Sequence, residues 1–140
     1  LGAKATFDSD TREIRQLKGV LRRGEARASL LTCGLPATHV RFLDLSFYEQ
    51  GRYRQFRIGD ADVAAVVALL REMRPHQIFA TGHSSDPSSV AAVSFEVLRR
   101  ALALTAGEAW RRDCRVWLYR GPDREWEPAE FEMAVPFSPR

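Results

Sequence analysis

The chain is predicted to fold as an α/β protein with a parallel sheet. Three observations predict this. Apolar residues recur at helical spacing in three separate segments. Short apolar runs, bounded by Pro, Gly or polar stretches, stand between and after those segments. The two kinds alternate as helix, strand, helix, strand, helix, strand, the order expected of parallel strands joined by helical crossovers. Composition agrees: of 140 residues, 45% are hydrophobic and 28% charged, the proportions of a soluble globular domain rather than a disordered or fibrous chain. The length is that of one domain.

The first helix is expected over Asp10 to Cys33. Asp10 and Glu13 have the spacing of a capping box. Ile14, Leu17, Leu21, Ala28 and Leu31 make one apolar stripe at helical spacing. Gly34 stands where a left-handed cap ends a helix, and Pro36 follows it. Gly24 weakens the middle of the helix by about 1 kcal/mol relative to Ala. His39 to Leu45, carrying Val40, Phe42, Leu43 and Leu45, reads as the first strand. Glu49 to Gly59 is a polar, Arg-rich connection. Asp60 is expected to cap the second helix, with Val63, Val66, Val67, Leu70 and Met73 as its buried face. Arg71 and Arg74 suit its negative end, and Pro75 stops it.

His76 to Thr81 reads as the second strand, centred on Ile78 and Phe79 and ended by Gly82. Asp86 is the expected N-cap of the third helix, with Pro87 in its first turn. That helix should run to about Leu104, burying Val90, Val93, Val97, Ala101 and Leu104. Cys114 to Arg120 reads as the third strand, Gly121-Pro122-Asp123 as a turn, and Glu130 to Pro136 as a short edge strand. Three core strands are few against a mean of about five or six. Pieces of the domain are therefore expected outside this chain, and the Ile78–Phe79 strand should have an unpaired side. Such an edge templates association, so a homo-oligomer, or the remainder of a longer protein, is the expected partner. The sequence holds no internal repeat and no low-complexity segment.

Several function classes are disfavoured. The charge of +3 comes from 21 basic and 18 acidic residues. The densest basic groups, Arg22-Arg23 and Arg111-Arg112, are pairs rather than tracts. Nucleic-acid binding wants clustering on one face, so no nucleic-acid partner is expected. The longest apolar run, Val63 to Leu70, is far short of the roughly 20 residues of a membrane span, and no membrane partner is expected. Leu1-Gly2-Ala3-Lys4 does not begin a secretory signal. Without an initiator Met, the chain is expected to begin inside a longer or processed protein. Cys33 and Cys114 lie far apart without metal spacing. They read as free buried thiols of a reducing compartment, so the expected location is cytoplasmic.

Ligands of open α/β sheets bind at the carboxyl ends of strands. Two loops meet that description, Leu45 to Arg52 and Gly82 to Ser89. The second is the better candidate. It holds His83, Asp86 and four serines, and it leads into a helix N-terminus whose free N–H groups can hold an anion or oxyanion. The plainer alternative is that Asp86, Ser88 and Ser89 only cap the helix and His83 is solvated. A catalytic zinc needs three protein ligands, and His83 and Asp86 offer two. His39 and His76, each beside a strand, read as structural. Arg22 and Glu25, three apart, suit an intrahelical ion pair worth a few tenths of a kcal/mol. No nucleophile elbow, P-loop, Rossmann glycine motif or CxxC is present.

Four stretches together resemble one family. They are Leu21-Arg22-Arg23-Gly24-Glu25-Ala26-Arg27-Ala28; Phe42-Leu43-Asp44-Leu45-Ser46-Phe47-Tyr48-Glu49; Arg74-Pro75-His76-Gln77-Ile78-Phe79-Ala80; and Val116-Trp117-Leu118-Tyr119-Arg120-Gly121 with Glu125-Trp126-Glu127 and Met133-Ala134-Val135-Pro136. In family order, they resemble the PIG-L/LmbE-type deacetylases, zinc-dependent hydrolases of N-acetyl sugars. The subgroup resembled is the deacetylase-like domain found with glucosamine-6-phosphate deaminases. The resemblance implies a Rossmann-like three-layer parallel sheet, here truncated at both ends. It implies an N-acetyl amino sugar as ligand and zinc as the family's cofactor, which activates water with a carboxylate's help.

The family's metal motifs are a His-Pro-Asp-Asp, absent here, and an Asp-Pro-His-x-x-His. The second stands here as Asp86-Pro87-Ser88-Ser89-Val90-Ala91, with Ser88 and Ala91 at the two His positions. Alanine has no donor atom, so no bound zinc, no catalytic residue and no deacetylase activity are expected of this chain. By the resemblance Arg22 is a substrate contact. Arg22, His83, Asp86 and Ser88 are the expected sugar-binding residues. Three readings stay open: a fragment of an active deacetylase, a degenerate sugar-binding domain, and an interaction module on the same scaffold. Ser88 and Ala91 favour the second.

Overall fold

The computed structural model describes residues 11–47, 57–82, 89–120 and 127–134. The chain divides into two compact units, Leu1–Asp44 and Leu45–Arg140.

In the first unit, α1 spans Arg12–Thr32. Its N-cap is Thr11, whose hydroxyl accepts the Ile14 N–H at 3.4 Å. Asp10, the expected cap, lies outside the described residues. The C-terminus is a Schellman motif, as Gly34 foretold. Gly34 adopts φ +77 and donates to the Leu31 carbonyl at 3.0 Å, while Leu35 donates to that of Leu30 at 2.9 Å. The apolar stripe is not buried within its unit. α1 buries no residue, and Leu17, Leu21 and Leu31 are 60%, 58% and 61% exposed. Cys33 is a free thiol, but exposed rather than buried.

The strand expected at His39 to Leu45 does not form. A 3₁₀ turn at Ala37–His39 takes its first residue, and residues 40–45 join no sheet. Asp44 turns into the left-handed region at φ +47, which breaks an extended path. The side chains are engaged locally instead. Arg23 pairs with Asp44, and Phe42 lies beneath the guanidiniums of Arg23 and Arg27.

The second unit carries the sheet. α2 spans Asp60–Met73. Its N-cap is Gly59 rather than Asp60, because the third residue on, Asp62, reaches back to accept the Gly59 N–H at 2.9 Å. Arg74 ends α2 in the left-handed conformation at φ +43, its N–H donating to the Leu70 carbonyl at 2.8 Å, and Pro75 follows. β1 is Gln77–Thr81. α3 spans Val90–Leu104 and is capped by Ser89. Asp86 and Pro87 lie outside the described residues. A 3₁₀ turn at Ala109–Arg112 leads to β2, Arg115–Tyr119.

β1 and β2 pair in parallel, Ile78 opposite Val116 and Phe79 opposite Trp117. The fold is therefore mixed α/β, with a parallel sheet of two strands among the described residues where three were expected. The edge strand expected at Glu130 to Pro136 does not form over its described part. Residues 130–134 lie outside any strand, and Glu130 closes a turn on the Glu127 carbonyl at 2.8 Å.

The core is Phe47, Val63, Val66, Val67, Leu70, Val93, Val97 and Ala101, with Leu45, Ile58, Ile78 and Trp110 packed against it. Val66, Val67, Val93 and Val97 are buried as their helical spacing implied, because α2 and α3 pack on each other. Leu104, Met73 and Val90 are exposed at 66%, 59% and 37%, against expectation. The pleat places Phe79, Trp117 and Tyr119 on the face opposite Ile78 and Val116. Phe79 is 56% exposed there, and among the described residues β1 has β2 as its one neighbour.

Candidate functional site

Glu108, just past the end of α3, accepts from Arg71 Nε near the end of α2 at 2.8 Å. The two helices therefore end together and begin together. β1 starts directly after α2 ends and finishes before α3 begins. The starts of both helices and the carboxyl end of the sheet thus share one edge, where α/β folds bind ligands.

Asp62 organises part of this edge. Its carboxylate is 2% exposed. One oxygen accepts from the Ser46 N–H at 2.6 Å and the Ser46 hydroxyl at 2.9 Å, and the other accepts from Gly59. Burial pushes its pKa up, but hydrogen bonds from Gly59, Ser46 and Phe47 outweigh that and hold it below the usual value. Asp62 stays ionised and pins Ser46 to the start of α2. The sequence reading missed it. The signal was the three-residue spacing from Gly59 to Asp62, that of the back-reaching half of a capping box.

The two helix starts differ electrostatically. α2 carries Asp60 and Asp62 in its first turn, so its positive end is already compensated. α3 carries no acid there. Its cap, Ser89, accepts the Ala92 N–H at 3.2 Å, and Ala91 follows within the first turn. Gly82, buried past the end of β1, donates to the Tyr119 carbonyl at 2.6 Å and extends the ladder by one bond. Beyond β2, Arg120 reaches Glu130 at 3.6 Å.

Of the expected site residues, His83, Asp86 and Ser88 lie outside the described residues. Arg22 is exposed on α1 in the first unit, and the expected ion pair with Glu25 does not form. His39 and His76 are exposed, and the His76 carbonyl accepts from Arg115 at 2.9 Å. Among the described residues no three His, Cys, Asp or Glu side chains come together. No described helix is long and apolar enough to cross a membrane.

The chain is 45% identical, over 99% of its length, to a curated protein of Bacteroides thetaiotaomicron that bears the name glucosamine-6-phosphate deaminase-like protein. The chain spans 21% of that relative's length. No family model matches the chain, and no solved structure does.

Proposed function

We propose that this chain is an amino-sugar-binding domain on a PIG-L/LmbE-type scaffold, with a Rossmann-like three-layer sheet, that does not hydrolyse its ligand. The observation that carries the amino-sugar part is the 45% identity along 99% of the chain to a relative whose name refers to glucosamine-6-phosphate. The scaffold part rests on the sequence resemblance, and the parallel pairing of β1 and β2 is compatible with it. By the resemblance, the sugar-binding residues are His83, Asp86 and Ser88, which follow β1 in the sequence, and Arg22 is a further candidate in the first unit. The loss of hydrolysis rests on Ala91. It stands where the scaffold would need a metal ligand, and without a metal, water keeps a pKa of about 15.7 instead of about 7.

The test combines metal analysis, product assays and binding on one preparation. Zinc should bind no tighter than micromolar. N-acetylglucosamine should release no acetate above background, and glucosamine-6-phosphate no ammonia. Both sugars should bind saturably, more weakly in Arg22→Ala and His83→Ala. Zinc held at nanomolar affinity and lost in His83→Ala, or acetate release abolished by a chelator, would restore the hydrolase. Ammonia release would make the chain a deaminase. No saturable binding of either sugar would leave the interaction module.

A further inference from the structure

The excess positive charge is segregated. Leu1–Asp44 holds eight basic and five acidic residues, whereas Leu45–Arg140 holds thirteen of each. The whole net charge of +3 therefore belongs to the first unit. Part of it is focused at one place. Arg23 and Arg27 stand one turn apart on α1, and their guanidinium carbons lie 5.3 Å and 5.1 Å from the centre of the Phe42 ring. A guanidinium resting on a ring keeps its N–H edge available for oxygen acceptors. The ring therefore restrains both forks without consuming their donors. Arg23 gives one donor to Asp44. Arg27 and the adjacent Arg22 have no carboxylate partner among the described residues. Two like charges held on one ring repel each other, and a single carboxylate relieves one of them.

The geometry points to a phosphate-binding site at Arg23, Arg27 and Phe42, taking inorganic phosphate or a phosphate monoester. A dianion with several oxygens can accept from both forks at once, which the single negative charge of Asp44 does not match. Asp44 then acts as a resident competitor for Arg23. The cluster is open to solvent, with the Arg23 side chain 44% exposed, so affinity should fall as salt rises. The site rests on this cluster and not on the amino-sugar reading, and a sugar phosphate such as glucosamine-6-phosphate is one phosphate monoester it would take.

The test is a titration of the full chain with inorganic phosphate at low, fixed ionic strength, followed by NMR of the arginine Nε–H signals, with chloride as the control. Saturable shifts at Arg23 and Arg27 are expected. Arg27→Gln should weaken binding about tenfold, as loss of one charge-assisted fork implies. Arg27→Lys should recover part of that affinity, and Asp44→Asn should tighten binding. α1 buries no side chain, so these variants should keep wild-type far-UV circular dichroism. Phosphate shifts no larger than those of chloride would overturn the site, as would unchanged binding in Arg27→Gln or no gain in Asp44→Asn. Phosphate bound through this cluster, with N-acetylglucosamine unbound and glucosamine-6-phosphate bound only while Arg23 and Arg27 are intact, would sustain the site and remove the amino-sugar reading.

Discussion

Asp62→Ala should be among the most destabilising single substitutions in the second unit. The carboxylate is 2% exposed and takes hydrogen bonds from the Ser46 N–H, the Ser46 hydroxyl and the Gly59 N–H, with the Phe47 backbone adding to them. Removing it leaves two backbone N–H groups short of an acceptor, at about 1–3 kcal/mol each. The loss of an anion from the first turn of α2 adds about 0.3–1 kcal/mol. Water entering beside Ser46 returns part of this, so the expected loss is about 3 kcal/mol, a large share of a usual 5–15 kcal/mol. The effect should depend on pH in one direction. Folding lowers the Asp62 pKa from its model-compound value of 3.8. A carboxyl depressed on folding contributes fully above its unfolded pKa and loses that contribution as pH falls through the folded value. Denaturant unfolding followed by circular dichroism should therefore show a gap between wild type and Asp62→Ala that is full at pH 7 and shrinks below about pH 4. A gap under about 1 kcal/mol at pH 7, or one that does not shrink in acid, would refute the clamp.

Phe47→Ala should cost about 3–5 kcal/mol, because Phe47 is fully buried; a midpoint shift in urea at constant slope would register it. Gly34→Ala should lower stability by about 1–2 kcal/mol through the left-handed backbone alone, since no atom lies within 4 Å of the added methyl, and loss of α1 helicity in circular dichroism is the readout. Glu96 is held down to about 2 by hydrogen bonds from Arg99 and Arg100. Its contribution should persist above its unfolded pKa and fade as pH falls toward 2, so Glu96→Gln should be less acid-sensitive than wild type in the same titration.

Where sequence periodicity meets a buried partner, the fold was legible. Val63, Val66, Val67 and Leu70 on α2, and Val93, Val97 and Ala101 on α3, face each other as their spacing implied. Gly34 announced the end of α1. The same periodicity misled on α1, because an apolar stripe records what a helix can bury, while Leu17, Leu21 and Leu31 find no cover within their own unit. The strand expected at His39 to Leu45 failed for a related reason. A short apolar run fits any environment that accepts its side chains. Here Phe42 found two guanidiniums, and Asp44 adopted a backbone angle no strand allows.

The caps show why the candidate site was only half readable. Sequence reasoning chose Asp60 and Asp86 as caps because Asp is a good acceptor at a helix start. At α2 the acceptor is Asp62, which reaches back to Gly59 and also holds Ser46, sixteen residues upstream. The local half of that arrangement has a fixed spacing and could be found from sequence. The distant half depends on the chain returning past the start of α2, which no local pattern encodes. At α3, Ser89 takes the capping role, so Asp86 is not needed as the terminal cap. That removes the plainest structural reason for an acid in the 82–89 loop. The electrostatic contrast between the two helix starts then has a direction. α2 spends its positive end on its own Asp60 and Asp62, whereas the first turn of α3 has a neutral cap and no acid. Among the described residues, the positive end of α2 is therefore met by its own acids and that of α3 by none.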